Sequence, residues 1–218
     1  MKHVYIYIPL ICLSFLFPTH ALSKGDPIKG KDVYGICVAC HGQNGEGLRA
    51  TNSPRLAGQQ DWYLVSQLEK FRSGLRGASS NDIHGSQMAA IGKTLANEQS
   101  LLDVVAYIET LEAGQPARTE TTGDPKRGQS LFIDELTCTN CHGPLGQGYK
   151  EPYGKGSGAP RLSGQHDWYL IRQLQNFKAG IRGDLKDKFA LEMRMRAKVD
   201  LQNDQVIKDV AAYLSTLK

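Results

Sequence analysis

Two short cysteine motifs carry the clearest chemistry in this sequence. The first reads CVACH at residues 37–41, and the second reads CTNCH at residues 138–142. Two thiols separated by two residues occur in redox disulfides, in zinc sites and where haem is attached covalently. The histidine that directly follows each pair, His41 or His142, is typical of haem attachment, because an imidazole beside the two thiols can reach the iron.

The other two interpretations fit the sequence less well. A structural zinc ion needs four ligands, whereas each motif offers two cysteines and one histidine. A thioredoxin-like disulfide would accompany a βαβ pattern, and the sequence shows no alternating strand pattern. The motifs therefore predict two covalently bound haem c groups. The predicted attachment residues are Cys37, Cys40, Cys138 and Cys141, and the predicted proximal iron ligands are His41 and His142.

An iron that carries electrons also needs a sixth ligand. Beyond residue 23 the chain has three methionines, Met88, Met193 and Met195, and they lie in matching windows of its two halves. Methionine is usually core filler, but its absence from the rest of this region favours a ligand role. The spacing to the next helix does not decide between Met193 and Met195. His84 is a rival to Met88, although the second half has no counterpart of it.

The chain contains one type of domain twice. Residues 54–77 and 160–183 are identical at 15 of 24 positions, and each segment follows one of the cysteine motifs. Each half begins with Asp-Pro, which suits a helix cap followed by proline in the first turn. Each half also ends in an amphipathic stretch that starts with asparagine. The sequence therefore predicts an all-α fold with two tandem domains related by duplication.

Composition predicts where these domains begin and end. Residues 24–112 form the N-terminal domain, residues 113–123 a polar linker, and residues 124–218 the C-terminal domain. Residues 1–23 combine a basic start, an apolar run and a small-residue end, which is the order of a secretory signal peptide. The apolar run, residues 4–17, is shorter than the ~20 residues that span a bilayer. Removal on export is therefore favoured over a retained membrane anchor.

The charge of the chain is modest and unevenly distributed. A total of 26 basic against 22 acidic side chains argues against a nucleic-acid binder. Residues 116–218 hold the excess, with 16 basic and 12 acidic side chains. The basic run at residues 186–198 surrounds the second methionine window, so it is a candidate docking edge for an acidic partner, with an ordinary solvated face as the alternative. Its basic residues are Lys186, Lys188, Arg194, Arg196 and Lys198.

These features together resemble the dihaem cytochrome c4 family. The resemblance rests on two CxxCHG motifs, two PRLxGQxDWYL segments and a methionine before each terminal helix, and it covers the chain beyond residue 23. It implies two tandem class I cytochrome c domains and a periplasmic single-electron carrier that is not an enzyme. In that family the segment after the ligand commonly reads M-R-x-x-A. Residues 193–197 match it, which favours Met193 over Met195, whereas Met88 is followed by two alanines.

The resemblance also implies the partners. A donor of the quinol–cytochrome c reductase type would supply electrons and a terminal oxidase would accept them within a respiratory chain. No small-molecule substrate is expected, and association with the inner membrane would be peripheral. A dihaem enzyme or a haem-based gas sensor is the alternative. Either one needs an iron with an open sixth position, whereas both halves of this chain offer a methionine.

Four further repeated residues are candidates for contact with haem. Arg55 and Arg161 could pair with a propionate, because a guanidinium suits a carboxylate. Trp62 and Trp168 could pack on the macrocycle or donate the indole N–H, and ordinary core or surface positions are the alternative. His166 stands where the first half has a glutamine, so we interpret it as a surface or local packing residue.

Overall fold

The fold is helical throughout the part of the chain that can be described. The computed structural model describes residues 25–112, 114–115, 118–119, 122–150 and 158–217. The predicted signal peptide lies outside these ranges, as does part of the predicted linker. Within the described residues the chain forms helices, loops and two isolated β-bridges, with no strand. The predicted all-α fold is confirmed.

The two halves contain the same series of five α-helices. The first half has α1 (Pro27–Tyr34), α2 (Val38–His41), α3 (Asp61–Ser73), α4 (Ile83–Gly92) and α5 (Glu98–Ile108), with a 3₁₀ turn at Arg49–Thr51. The second half has α6 (Pro125–Ser130), α7 (Thr139–His142), α8 (Asp167–Ala179), α9 (Lys188–Asp200) and α10 (Asp204–Leu214), with a π-helical turn at Leu131–Glu135. The predicted caps are present: Asp26 and Asp124 accept amide N–H groups of α1 and α6, and Asn97 and Asn203 do so for α5 and α10.

The first and last helices of each half cross at a glycine. A side chain on Gly30 would collide with the carbonyl oxygen of Asp103, so only glycine allows α1 and α5 to approach this closely. The buried carboxylate of Asp103 accepts the N–H of Asp26 at 2.8 Å. Gly128 and Asp209 make the same close approach in the second half. The cysteine motif of each half follows the first of these two helices, so the crossing determines where the motif lies.

Each half has its own apolar core around that crossing. Tyr34 lies against Tyr107 with ring centroids 5.2 Å apart, and Phe132 lies against Tyr213 at 5.7 Å. The buried side chains of the first core are Tyr34, Leu64, Leu95, Leu101, Val104, Val105 and Ile108. Those of the second include Leu131, Phe132, Leu170, Val210, Ala211, Tyr213 and Leu214. The terminal helix of each half therefore packs its apolar face against the helices that position the cysteine motif.

The two halves face each other across a pseudo-twofold interface. The side-chain amide of Gln59 donates to the carbonyl of Arg161 at 3.0 Å, and that of Gln165 donates to the carbonyl of Arg55 at 3.0 Å. His166 Nε2 lies 2.7 Å from the carbonyl oxygen of Glu46 in the other half. The residue interpreted as a surface or local packing position is therefore also an interdomain contact.

Candidate haem sites

A short helix places each cysteine motif. Cys37 directly precedes α2, and its carbonyl accepts the N–H of His41 at 2.8 Å, so these two side chains lie one turn apart. Cys138 and His142 repeat this arrangement at α7, with the same hydrogen bond at 2.9 Å. Both histidines are buried, whereas Cys40 is exposed at the edge of its site. The motif thus presents two thiols and one imidazole together, as covalent haem attachment requires.

Both imidazoles are oriented by a backbone carbonyl. His41 Nδ1 lies 2.8 Å from the oxygen of Pro54, and His142 Nδ1 lies 2.9 Å from that of Pro160. A carbonyl only accepts, so Nδ1 carries the hydrogen in both rings and Nε2 is the nitrogen available to a metal. Burial lowers the pKa of both histidines, although the hydrogen bonds to the prolines act in the opposite direction. Neutral imidazole is the form that binds iron.

The thiols lack the lowered pKa values of a catalytic redox pair. Burial, with a smaller contribution from the neighbouring Cys40, raises the pKa of Cys37 to about 11. Burial likewise raises the pKa of Cys138 to about 11, with a contribution from Asp200. Catalytic CxxC cysteines instead have lowered pKa values, because the thiolate is the reactive form. The electrostatics therefore agree with attachment sites and disfavour a thioredoxin-like function.

One cavity of about 1150 Å³ connects the two motifs. Its volume exceeds the ~300–1,000 Å³ typical of a pocket for one small ligand. The predicted ligand and attachment residues line it together: Cys37, Cys40, His41 and Met88 in the first half, and Cys138, Cys141, His142 and Met193 in the second. Each set combines two thiols, one imidazole and one thioether, so the donor chemistry fits a covalently attached haem in each half.

The methionines occupy equivalent positions on α4 and α9. Asp82 caps α4 by accepting the N–H of Gly85 at 2.9 Å, and Met88 follows it by six residues. Asp187 caps α9 in the same way, and Met193 also follows its cap by six residues. Measured from these caps, Met193 rather than Met195 is the counterpart of Met88.

The two alternative iron ligands, Met195 and His84, differ in whether they line the cavity. The side chain of Met195 is 57 % exposed and does not line the cavity. His84 does line it, with Nδ1 3.4 Å from the side-chain oxygen of Gln87. His84 lies one helical turn before Met88, so both are on the same face of α4.

The predicted haem-contact residues are only partly brought to the cavity. Arg55 and Arg161 line it, and both are held by loop groups: Arg55 Nε donates to the carbonyl of Ala57 at 2.8 Å, and Arg161 Nε lies 3.1 Å from Ser163 Oγ. Trp62 lines the cavity as well.

Trp168 is placed differently from Trp62. It is buried and stacks on His166 with ring centroids 4.9 Å apart, and it is not among the residues that line the cavity. His166, which stands where the first half has Gln60, supplies the ring on which the indole stacks. The guanidinium carbon of Arg49 in the other half lies 5.9 Å from the Trp168 ring centroid, so Trp168 is an interface residue, and its contact with haem stays a prediction.

Six side chains that the sequence analysis passed over lie where the two halves meet the cavity. We call them the interface cluster: Tyr63, Gln67, Arg76, Tyr169, Gln173 and Arg182. Arg76 donates to Gln67 Oε1 in its own half at 2.7 Å and to the hydroxyl of Tyr169 in the other half at 3.1 Å. The signal was present in the sequence, since all six positions are identical between the repeats.

Arg182 makes the same contacts in reverse. It donates to Gln173 Oε1 at 2.7 Å and to the hydroxyl of Tyr63 at 2.9 Å. Burial alone would lower the pKa of Arg182, but Tyr63 and Tyr169 hold it above its usual value. Burial would raise the pKa of Tyr63, and Arg182 with Arg76 lowers it instead. The two halves are thus joined by two cations, each shared across the interface.

Several guanidinium N–H groups at this cavity have no partner among the described residues. They are Nε of Arg76, Nε of Arg182, and Nε and Nη1 of Arg172, all buried. An unpaired buried donor is costly, and a guanidinium pairs best with a carboxylate. These atoms are inaccessible from the open cavity and therefore do not face it, and the guanidinium groups of Arg76 and Arg182 stack on Phe71 and Phe177, each 4.4 Å from the ring centroid.

Comparison with known proteins defines the class first. The cytochrome c family model matches residues 28–112 and again residues 125–218, so the chain is a c-type cytochrome with two such domains. It is 32% identical over 204 residues to cytochrome c4 of Azotobacter vinelandii, covering 90% of this chain and 91% of that protein. The chain therefore belongs to the cytochrome c4 family. As a dihaem c-type electron carrier it binds two haem c groups covalently, which confirms the predicted cofactors.

Two further relatives bear on fold and function. The crystal structure of reduced recombinant cytochrome c4 from Pseudomonas stutzeri superposes with a TM-score of 0.70 at 28% identity, over 89% of this chain and all of that chain. The thiosulfate dehydrogenase electron acceptor of Thiomonas intermedia is 31% identical over 186 residues, covering 81% of this chain and 77% of that protein. Within the described residues, none of the helices has the length and apolarity needed to cross a membrane.

Proposed function

We propose that this protein is a periplasmic single-electron carrier that passes electrons in a respiratory chain towards a terminal oxidase and catalyses no reaction itself. The observation that carries the proposal is the presence of an imidazole and a thioether in the same cavity in each half. The proposal includes export by removal of residues 1–23 and domain boundaries at 24–112 and 124–218, joined by linker 113–123. The donor would be of the quinol–cytochrome c reductase type, with peripheral association with the inner membrane.

The ligand assignment follows from the same cavity. We propose His41 with Met88 at one iron and His142 with Met193 at the other. Haem supplies one-electron exchange at its iron, and the chain determines what else can reach that iron. Held by an imidazole and a thioether of the chain, the iron would have no position left for a substrate, and the soft thioether would favour the reduced state. The hydrogen bonds to the carbonyls of Pro54 and Pro160 hold the imidazoles in place, and burial keeps both rings neutral by lowering their pKa.

The arginines at the interface would neutralise the propionates. Arg76, Arg172 and Arg182 line the cavity and supply guanidinium donors there. A carboxylate buried there needs such donors, since an unpaired buried charge is costly. Because Arg76 and Arg182 are also bonded across the interface, both sites share one electrostatic environment. Both cysteine motifs also line one cavity, which supports electron transfer between the two haems inside the protein.

The C-terminal domain offers the surface for the electron acceptor. Lys186, Lys188, Arg196 and Lys198 are exposed, whereas Arg194 is half-buried and donates to the carbonyl of Gly183 at 3.1 Å. Arg194 is therefore not part of the exposed edge. Two apolar side chains, Met195 at 57 % and Val199 at 71 % exposure, lie among these charges on α9. An apolar centre with a basic rim suits an acidic docking face on the acceptor.

Charge neutralisation tests this docking edge. We expect Lys186→Gln, Lys188→Gln and Lys198→Gln together to slow electron transfer to the oxidase about tenfold at low ionic strength, because steering by opposite charges is lost. The difference should vanish at high salt, where charges are screened. Stopped-flow kinetics across ionic strengths measures both effects. Lys29→Gln, Lys31→Gln and Lys126→Gln together remove three exposed lysines outside this edge and are the matched control. Equal salt slopes in the two variants would contradict docking here.

Carbon monoxide tests the carrier function itself. We expect the absorption spectrum of the reduced protein to remain unchanged when the gas is added, because both sixth positions are filled. An intact haem content of two per chain is the control measured alongside. Formation of a gas adduct at either haem in the parent protein would contradict the carrier proposal and favour an enzyme or a sensor.

A second candidate donor is a thiosulfate-oxidising enzyme. The similarity to the thiosulfate dehydrogenase electron acceptor of Thiomonas intermedia supports it. The protein would remain a carrier, and only the source of its electrons would change. Rates of reduction by a thiosulfate dehydrogenase and by a quinol–cytochrome c reductase, measured with the same stopped-flow protocol, separate the two donors.

A further inference from the structure

One ion pair crosses the interface and breaks its symmetry. Lys70 Nζ, on α3 of the first half, lies 2.9 Å from both carboxylate oxygens of Asp187 in the second half. The two side chains are only 19% and 6% exposed, so water screens the pair weakly. Removing the lysine would leave the carboxylate of Asp187 buried without its counter-charge, which is strongly destabilising.

Asp187 is also the residue at which α9 begins. Its Oδ1 accepts the N–H of Ala190 at 3.2 Å, so a single carboxylate both caps the helix and binds Lys70. Met193 lies in the second turn of that helix and lines the cavity. The position of Met193 is therefore linked, through one helix cap, to a side chain of the other domain.

The N-terminal domain lacks the equivalent lysine. The counterpart of Lys70 in the second repeat is Asn176, and the counterpart of Asp187 is Asp82, the cap of α4. Arg172 and Arg182, both in the C-terminal domain, act on Asp82 electrostatically, but neither forms an ion pair with it among the described residues. The duplicated framework thus holds its two methionine helices differently.

We propose that Lys70 is a positioning residue for the C-terminal haem, and that it keeps Met193 in place from the other domain. The inference rests on the proposed ligand role of Met193. In consequence, methionine ligation at the C-terminal iron depends on a direct ion pair between the domains, whereas the cap of the Met88 helix has no such pair within the described part of the chain. Separation of the two halves, for example when a partner docks, would break that ion pair and loosen Met193 more than Met88.

The variant Lys70→Asn tests this inference, because asparagine is the residue that the second repeat already uses at this position. We expect one of the two haems of the reduced protein to bind carbon monoxide, against none in the parent. The far-red absorption band of methionine-ligated ferric haem should weaken accordingly. Lys70→Arg keeps the charge and should leave both measurements unchanged. Lys29→Asn, which removes an exposed pair with Asp26 at 3.9 Å, is the matched surface control.

Two alanine variants assign the haem that responds. Met193→Ala should give the same gas adduct as Lys70→Asn, and Met88→Ala a different one. If Met193→Ala binds gas but neither Lys70→Asn nor the longer Lys70→Gln does, the positioning role is overturned while the ligand assignment stands. If Met193→Ala binds no gas, the ligand assignment fails and the inference fails with it. If loss of the Lys70 charge acted only through electrostatics, it would shift a reduction potential without allowing carbon monoxide to bind the iron, and this result too would overturn the positioning role.

Discussion

Alanine in place of Met193 is expected to open the C-terminal iron and to lower the potential of that haem by roughly 0.2 V, a fraction of the ~0.8 V that axial ligands span. The reason is that a thioether favours the reduced iron, and its loss leaves a position that water or an added ligand can fill. His142 remains in place on α7, so haem content should stay unchanged. Redox titration followed by optical spectroscopy measures the shift.

Met195→Ala is the matched control, two residues along the same helix. Because the side chain of Met195 is 57 % exposed and outside the cavity, its removal should change neither potential. Met88→Ala should produce the corresponding loss at the other haem. A shift in Met195→Ala without one in Met193→Ala would reverse the ligand assignment.

The parts of the fold that depend only on residues close together in the sequence could be predicted from it. An Asp-Pro pair determines where α1 and α6 begin, and asparagine caps α5 and α10, because each needs only its own hydrogen bond to the next turn. The cysteine motifs are equally local, since one helical turn brings the thiol of Cys37 and the ring of His41 together. Identity between the repeats then extended each conclusion to the second half.

The choice of methionine shows how a signal can be present and missed. Counting back from Leu95 and Leu201 does not decide, because Leu201 follows its cap Asp187 by 14 residues whereas Leu95 follows its cap Asp82 by 13. Counting forward from the caps, Asp82 and Asp187, places Met88 and Met193 at the same position. A helix is positioned by its cap, so the upstream count is the one that has physical meaning.

The interface between the halves could not be predicted. Tyr63, Gln67 and Arg76 are identical to their counterparts in the second repeat, and identity alone does not distinguish a core position from a contact between domains. The pairing of Arg76 with Tyr169 and of Arg182 with Tyr63 depends on how two folded halves dock. For the same reason, the tryptophans look equivalent in sequence but occupy different surroundings.

The shared arginines lead to the second large expected effect. Arg182→Gln should lower the potentials of both haems, each by about 50–100 mV. A hydrogen bond to a charged group contributes about 1.5–3 kcal/mol, and a tenfold change in a one-electron equilibrium corresponds to ~59 mV. The potential changes only by the part of this energy that differs between the oxidised and the reduced haem. The sign follows because removing a buried cation favours the more positive, oxidised iron. Arg76→Gln should act alike, since it donates to Gln67 and Tyr169 on both sides of the interface.

Spectroelectrochemical titration of the two haems separates this coupling from a local effect. Tyr63→Phe keeps both cations but removes the hydroxyl that Arg182 binds across the interface, so it should give a smaller shift in the same direction. Arg127→Gln removes an exposed arginine that pairs with Glu135, and it should leave both potentials unchanged. A shift confined to one haem in both Arg76→Gln and Arg182→Gln would show that each arginine serves only its own site. Shifts of both potentials would mean that the duplicated domains have kept identical arginines because each one acts on the partner domain's haem.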